Sequence, residues 1–516
     1  MSTLHVYAVV LWGVTRRAGW RCLAVAIVLF MPFSAQAGWD VVEAQRTVAY
    51  GLAAIVERHL QQVPASTVAL DAMRGLADID PQFAIAFQGG RVRLSTAERV
   101  VADYPAPATD DVESWARLVI SVALDAGEVS PLVRDADVER LFRAVFEGAL
   151  GTADLYSRYA GAAEARDNRA SRNGFGGIGI RFELVEGEAL IVDVVEDTPA
   201  ARAGLQADDV IVLIDGKPVR GLERTEISAR LRGAVASALI VTLRRAGKIV
   251  EAKVQRSLIV PKTVTETLDG PIAIYRISSF NQRTASSLET KLRETRERMG
   301  ARLKGVVLDL RGNPGGLLDK AVAVADLFIA DGPIISTRGR NPAANAVLTA
   351  RPGDLAEDLP VVVLIDGRSA SSAEILASAL QDSGRAVVIG TNSYGKGTVQ
   401  TVIRLPNDGE ITLTWSRFHA PSGYALHGLG VFPVLCTSPG QKGTERGGDW
   451  GRVARTLDIW RQVGLEETDL RRHLRDLCPP TRRTDAPEDM ALALRLLGDS
   501  PTFARALAAE AVRAKQ

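Results

Sequence analysis

From Val41 to Leu60, apolar residues recur at three- and four-residue spacing with Glu and Arg between them, the pattern of an amphipathic helix. Val112–Leu124 and Asp137–Leu150 repeat it, and Asp135 or Asp137 stands where it can cap the third helix. Residues 38–173 are therefore expected to form a mostly helical region, closed by a polar, Arg-rich linker at 166–173. The apolar runs then shorten. Leu190–Val195, Asp209–Ile214 and Leu239–Arg244 predict strands, with a turn at Asp215-Gly216. Thr198-Pro199 opens a short helix that Gly204 ends, and Ile227–Leu231 lies in a second. Together these form a compact β-rich module over 174–256. From Ile272 the pattern changes again. Val306–Leu310, Val361–Ile365 and Ala386–Ile389 are apolar without alternation, as in strands covered on both faces. Helices are expected between them at Leu317–Ile329 and Ser371–Leu380. Residues 257–435 thus read as a layered α/β domain with a β-rich extension at Ile411–Phe418. In the extension 436–516, turn residues precede helical stretches near Trp450–Val463 and Met490–Ala511. The fold class is multidomain α/β.

The first 37 residues have a different character. Arg16, Arg17 and Arg21 precede an apolar run, Cys22–Phe33, and Ala35-Gln36-Ala37 has the small-x-small form of a signal-peptidase site. Residues 1–37 are expected to be a signal peptide, and the chain to be exported, to the periplasm; an uncleaved membrane anchor is the alternative. Removing this segment leaves two cysteines, Cys436 and Cys478, which in an exported chain are expected to form one disulfide. The formal net charge is +1, and no basic stripe interleaved with aromatics occurs, which sets nucleic-acid binding aside. No His/Cys/Asp/Glu cluster has metal-ligand spacing, so neither metal nor cofactor is expected. His59 stands alone in a helical pattern and is expected to be structural.

Three segments of the α/β domain carry chemistry. In Asp366-Gly367-Arg368-Ser369-Ala370-Ser371-Ser372-Ala373-Glu374 a buried strand gives way to a helix through small residues. A hydroxyl at a helix start, beside free amides and the positive end of the helix dipole, suits an acyl-transfer nucleophile. On this stretch alone an ordinary Ser N-cap is the better account. Gly395-Lys396-Gly397 follows the strand Ala386–Ile389, and Gln400 lies four residues on, on the same side of the chain. Burial would lower the Lys396 pKa toward that of a general base, and Gln400 could orient it. The segment lacks the earlier Gly of a phosphate loop. Finally, Asn313-Pro314-Gly315-Gly316 joins a strand to a helix and offers amides for an oxyanion hole. His419 and His427 are the competing candidates for a base.

In combination and in order, these segments resemble the carboxyl-terminal processing peptidases, or tail-specific proteases. The resemblance covers about residues 150–435 and includes Asp154-Leu155-Tyr156-Ser157-Arg158-Tyr159, Pro421-Ser422-Gly423 and Gly428-Leu429-Gly430-Val431. The family's interval of 25 residues between nucleophile and lysine selects Ser371 over Ser369 and Ser372. Ala373, Arg368 and Val434 depart from the usual Ser, Gly and Asp. The resemblance implies a serine endopeptidase with nucleophile Ser371, base Lys396 and orienting residue Gln400, and an oxyanion hole from the amides of Ser372 and Gly315 or Gly316. Residues 174–256 resemble a PDZ domain, whose carboxylate loop would be Gly176-Gly177-Ile178-Gly179, capturing protein or peptide C-terminal tails as an added strand. Alternative readings are a catalytically idle PDZ scaffold, or a peptidase activated by a helical adaptor or by homo-oligomerisation through the N-terminal helices.

Overall fold

The computed structural model describes residues 39–151, 153–439 and 449–510; the expected signal peptide lies outside them. The described residues enclose three hydrophobic cores.

The first core belongs to the N-terminal region. Helices Val41–Arg58, Ala65–Arg74, Val112–Val129 and Val138–Gly151 turn their apolar stripes inward around Trp115, Phe142 and Phe146. Asp40 caps the first through the amides of Val42 and Glu43, and Asp137 caps the fourth through Arg140. Between helices the chain makes a three-stranded antiparallel sheet, Ala84–Gln88, Arg91–Ser95 and Val100–Pro105. The helical expectation passed over it, although its signals are present: Gly89-Gly90, both at positive φ, make the turn, and buried Val92 and Leu94 alternate with exposed Arg91 and Arg93. This core also takes in Ile403, Leu405, Ile411 and Leu413 of the α/β domain.

The expected linker at 166–173 is helical instead, as part of Ala162–Asn173. Its Ala and Arg residues are good helix formers, and Arg172 pairs with the buried Glu410 at 2.9 Å. The second core fills the module that follows. Its sheet has the order 248–255, 238–245, 210–214, 188–194, 180–185, with helix Arg224–Leu231 packed on it through Ile227 and Leu231.

The third core surrounds a six-stranded sheet. Val264–Asp269 pairs antiparallel with Ile272–Ile277. From there Gly305–Asp309, Val361–Ile365, Ala386–Gly390 and Leu435–Cys436 add in parallel. Every residue of Gly305–Asp309, Val361–Ile365 and Ala386–Gly390 is buried, the reason these runs lack polar alternation. A second sheet runs 346–349, 333–338, 410–419, 398–404, with Arg158–Ala160 also joined to 410–419. The C-terminal extension is not separate: Leu457, Trp460, Leu474, Leu492 and Leu496 lie in this third core. The single helix expected near Met490–Ala511 is two, Pro487–Leu497 and Ser500–Glu510, parted at Gly498 and restarted by Asp499, which accepts from the Thr502 amide. Among the described residues no helix is long and apolar enough to cross a membrane.

Cys436 and Cys478 form a disulfide that closes a loop of sequence separation 42. In the chain-entropy account a loop of this length stabilises by about 4 kcal/mol. The Cys436→Ser/Cys478→Ser double variant is expected to lose stability of that order, measured by urea unfolding against the oxidised parent.

Candidate active site

The three segments singled out in the sequence leave the carboxyl ends of three adjacent parallel strands. Gly305–Asp309 leads into the glycine turn, Val361–Ile365 into the serine turn and Ala386–Gly390 into the lysine loop. The crevice beyond the carboxyl ends of a parallel sheet is where such folds place ligands. Here topology brings together residues that lie far apart in the chain.

Ser371, half-buried, precedes helix Ser372–Asp382 with φ 55° and ψ −115°. This backbone conformation costs a non-glycine residue about 1–3 kcal/mol and persists only where its surroundings enforce it. The glycine turn is one such constraint. A Cβ on Gly315 would stand 2.8 Å from the Ser371 Cβ and from the Ala370 carbonyl oxygen, so only glycine allows the two turns to pack. Asn313, wholly buried, fixes the turn: its Nδ2 donates to the Ile277 carbonyl and its Oδ1 accepts from the Gly315 amide, both at 2.8 Å. The Ser372 hydroxyl donates to the Gly316 carbonyl at 2.9 Å. The Gly315 amide is therefore committed, whereas those of Ser372 and Gly316 have no acceptor among the described residues. The sequence left Gly315 and Gly316 as alternatives; the structure leaves Gly316 free.

Glu374 is the second constraint, and its role was not anticipated. It is wholly buried and accepts from the Ser371 amide (2.7 Å), the Gly395 amide (2.7 Å), the Lys396 amide (3.0 Å) and the Ser393 hydroxyl. Burial pushes its carboxyl up, against the effect of these four donors. One carboxylate thus ties the serine turn to the lysine loop. The sequence signal was Glu three residues after a candidate cap, the form of a capping box.

Lys396 is half-buried, and its Nζ donates to Gln400 Oε1 at 2.8 Å. Gln400 Nε2 donates to the Tyr156 carbonyl. That bond fixes which end of the amide is which, so the oxygen faces the lysine. The Tyr156 ring lies 5.3 Å from Nζ. Burial pulls the Lys396 pKa below its ordinary range, with repulsion from Arg158 adding to it and Glu374 and Asp154 opposing. No hydrogen bond joins the Ser371 hydroxyl to Lys396 among the described residues; such contacts in unliganded sites commonly tighten only with substrate.

Behind Gln400 the support continues. Asp154 accepts from the amides of Tyr156 (2.6 Å) and Ser157 (2.9 Å) and holds this turn in shape. Burial alone would raise the Asp154 carboxyl, but hydrogen bonds from His59, Ser157 and these amides hold it well below the usual carboxylate range. His59, buried at the end of the first helix, reaches Asp154 through Nε2 at 2.9 Å. Its expected structural role holds, with the position of Tyr156 depending on it. His419 is buried in the strand Glu410–His419, and His427 lies edge-on to Tyr156 at 6.1 Å between centroids. Neither bonds to Ser371. Arg368 is exposed beside the serine turn.

The expected carboxylate loop lies elsewhere. The carbonyls of Gly176, Ile178 and Gly179 accept from Gly233, Ala200 and Val195, which fixes the loop's shape. The strand after it, Ile180–Val185, is the edge of its sheet. An edge strand is a template for an added chain. A cavity of about 840 Å³ opens beside this loop. It lies between helices Ala162–Asn173 and Arg224–Leu231 and is lined by Gly176, Arg166, Arg169, Arg224 and Arg232.

Residues 271–435 match peptidase family S41, and residues 176–255 match the PDZ domain. The carboxy-terminal-processing protease of Bartonella bacilliformis is 38% identical over 343 residues, which is 66% of this chain and 76% of that protein. This chain belongs to the carboxy-terminal-processing proteases of family S41. It is a serine-type peptidase with a PDZ domain. The carboxy-terminal processing protease CtpA of Bacillus subtilis is 33% identical over 312 residues, 59% of this chain and 66% of that protein. A solved photosystem II D1 C-terminal processing protease covers 78% of this chain and 95% of its own, at 21% identity and a TM-score of 0.40.

In this S41 peptidase, Glu374→Gln turns an amide NH₂ toward a cluster of donors. The expected result is a loss of about 2–3 kcal/mol in stability, read by urea unfolding, with at least a tenfold fall in casein hydrolysis at temperatures where the variant is still folded.

Proposed function

We propose that Ser371 is the nucleophile, Lys396 the general base, Gln400 its orienting residue, and the amides of Ser372 and Gly316 the oxyanion hole. One observation carries this reading: Lys396, half-buried and held by Gln400, is tied through Glu374 to the backbone of a strained Ser371. A neutral Nζ donating to Gln400 keeps its lone pair for the serine proton. The Ser371 Oγ bonds to the scissile carbonyl carbon as Nζ takes the hydroxyl proton, and the carbonyl electron pair moves to the oxygen facing the two amides. Collapse of this intermediate breaks the C–N bond, and Nζ returns the proton to the leaving amine. Water then adds to the acyl-enzyme with Nζ as base, and the Ser371 hydroxyl is regenerated as the acid product leaves.

Tail capture by the PDZ domain is part of the same proposal. The edge strand Ile180–Val185 supports addition of a substrate strand, and the shaped loop Gly176–Gly179 supports binding of the terminal carboxylate. Export is supported by the leader pattern at 1–37 and by the Cys436–Cys478 disulfide, which requires an oxidising compartment.

Ser371→Ala and Lys396→Ala are each expected to abolish casein cleavage, while Lys396→Ala with wild-type activity would end the dyad reading. Because the folded-state pKa of Lys396 is lowered from 10.5, the base is protonated and idle at low pH. kcat/KM is expected to rise with pH through a midpoint below 10.5, followed with a fluorogenic peptide. The same shift makes folding cost least above 10.5, where the lysine is neutral in both states, and most below its folded pKa. A peptide with a free apolar C-terminus is expected to be cleaved with a lower KM than its amidated form; equal values would remove the PDZ carboxylate from the scheme.

A further inference from the structure

The C-terminal extension touches all three catalytic segments. Arg475, on helix Thr468–Asp476, donates to the carbonyls of Leu429 (2.6 Å), Ser393 (3.3 Å) and Tyr394 (3.3 Å). The last two lie in the loop that leads into Lys396. Three residues beyond Arg475, Cys478 is bonded to Cys436, at the end of the outermost parallel strand. Three residues further, the Thr481 carbonyl accepts from the Gly367 amide at 2.8 Å. The Arg483 amide and the Thr484 hydroxyl reach Asp366 at 2.9 and 3.0 Å. Asp366 in turn accepts from the Gly312 amide at 2.8 Å, and Arg311 donates to the Ala486 carbonyl at 2.7 Å.

We infer that this disulfide-closed extension is a working part of the active site, and that Arg475 is a positioning residue for the Lys396 loop. The inference rests on the Ser371–Lys396 reading above. The loop from Ser393 to Lys396 has no sheet partner to satisfy its backbone, and Gly395 takes φ 90°. Its polar groups must find donors and acceptors elsewhere. They do so on two sides of opposite charge. The Gly395 and Lys396 amides donate to the Glu374 carboxylate, and the Ser393 and Tyr394 carbonyls accept from the Arg475 guanidinium. The Gly395 carbonyl accepts from Gly428 at 2.9 Å. A planar fork of donors bonds several carbonyls at once, which a lysine ammonium cannot match in geometry. Arg475 also fills the space a side chain at Gly395 would need, 2.9 Å from its Nη1. Without the guanidinium, the Ser393 and Tyr394 carbonyls lose this partner, and Nζ loses its setting against Ser371.

The test uses the full oxidised chain, β-casein, a fluorogenic peptide with a free apolar tail, and the rate at which phenylmethanesulfonyl fluoride inactivates Ser371 as a function of pH. Displacing a catalytic group by about 1 Å costs about 100-fold. Arg475→Met is expected to lower kcat by about that factor with KM changed less than about threefold. As the loop loosens and water reaches Nζ, the pH midpoint of inactivation is expected to move up by about one unit; Arg158, Asp154, Glu374, Gln400 and Tyr156 still face the lysine. Arg475→Lys is expected to recover part of kcat. The inference is overturned if folded Arg475→Met keeps the parent kcat and midpoint, or if both variants lose activity equally with an unmoved midpoint, as a purely structural residue would. Should Arg475→Met not fold, Arg475→Lys decides alone: a parent kcat and midpoint overturn the inference, and an intermediate kcat with a raised midpoint supports it. Lys396→Ala separates the two readings. If it is inactivated as fast as the parent, the base assignment fails and the inference falls with it; if it is inert while Arg475→Met behaves as parent, only the positioning role is lost.

Discussion

Glu374 accepts hydrogen bonds from the amides of Ser371, Gly395 and Lys396 and from the Ser393 hydroxyl, with no exposure to solvent. The site depends on this carboxylate. A buried anion is costly unless every lone pair is used, and here the donors that use them belong to the two segments that must meet. Each segment therefore supplies what the other lacks: the serine turn brings the acceptor, the lysine loop the donors. Moving either segment leaves an unpaired charge in the core. The contact fixes the backbones of Ser371 and Lys396 relative to each other without engaging either side chain.

The strain at Ser371 follows from the same arrangement. With φ at 55°, Ser371 turns the chain into the helix while the amide of Ser372 stays open. The glycine turn packs directly against it, and Asn313 stiffens that turn from below. The glycine turn follows one strand and the lysine loop, tied in through Glu374, follows another, so the restraint comes from two strand ends rather than from one loop.

The flanking regions both bond to the segments of the candidate site. The N-terminal helices reach the site through His59 and Asp154 to the turn whose Tyr156 carbonyl orients Gln400. The C-terminal extension reaches it through Arg475 and Arg483. Lys396 is therefore set from both ends of the chain, and its position depends on remote packing as much as on its own segment.

The sequence alone determined the elements with strong local signatures. Unbroken apolar runs marked the central parallel strands, because a strand covered on both faces cannot carry polar residues. The interval between Ser371 and Lys396, with Gln400 beyond, selected the reactive residues through family resemblance, and the two late cysteines pointed to their disulfide. Local pattern failed where stability comes from afar. The Arg-rich segment 166–173 is a helix whose Arg172 meets Glu410, 238 residues away, and the short sheet at 84–105 is small enough for surrounding helical periodicity to hide it. Tertiary structure decided which glycine amide stays free, that Glu374 joins the serine turn to the lysine loop, that the Tyr156 carbonyl meets Gln400, and that Arg475 meets the loop before Lys396. Those roles rest on hydrogen bonds between segments brought together by sheet order, and no periodicity along a chain encodes which distant carbonyl a side chain will find. Ser371 and Lys396 are legible as residues; what holds them in place exists only in the folded chain.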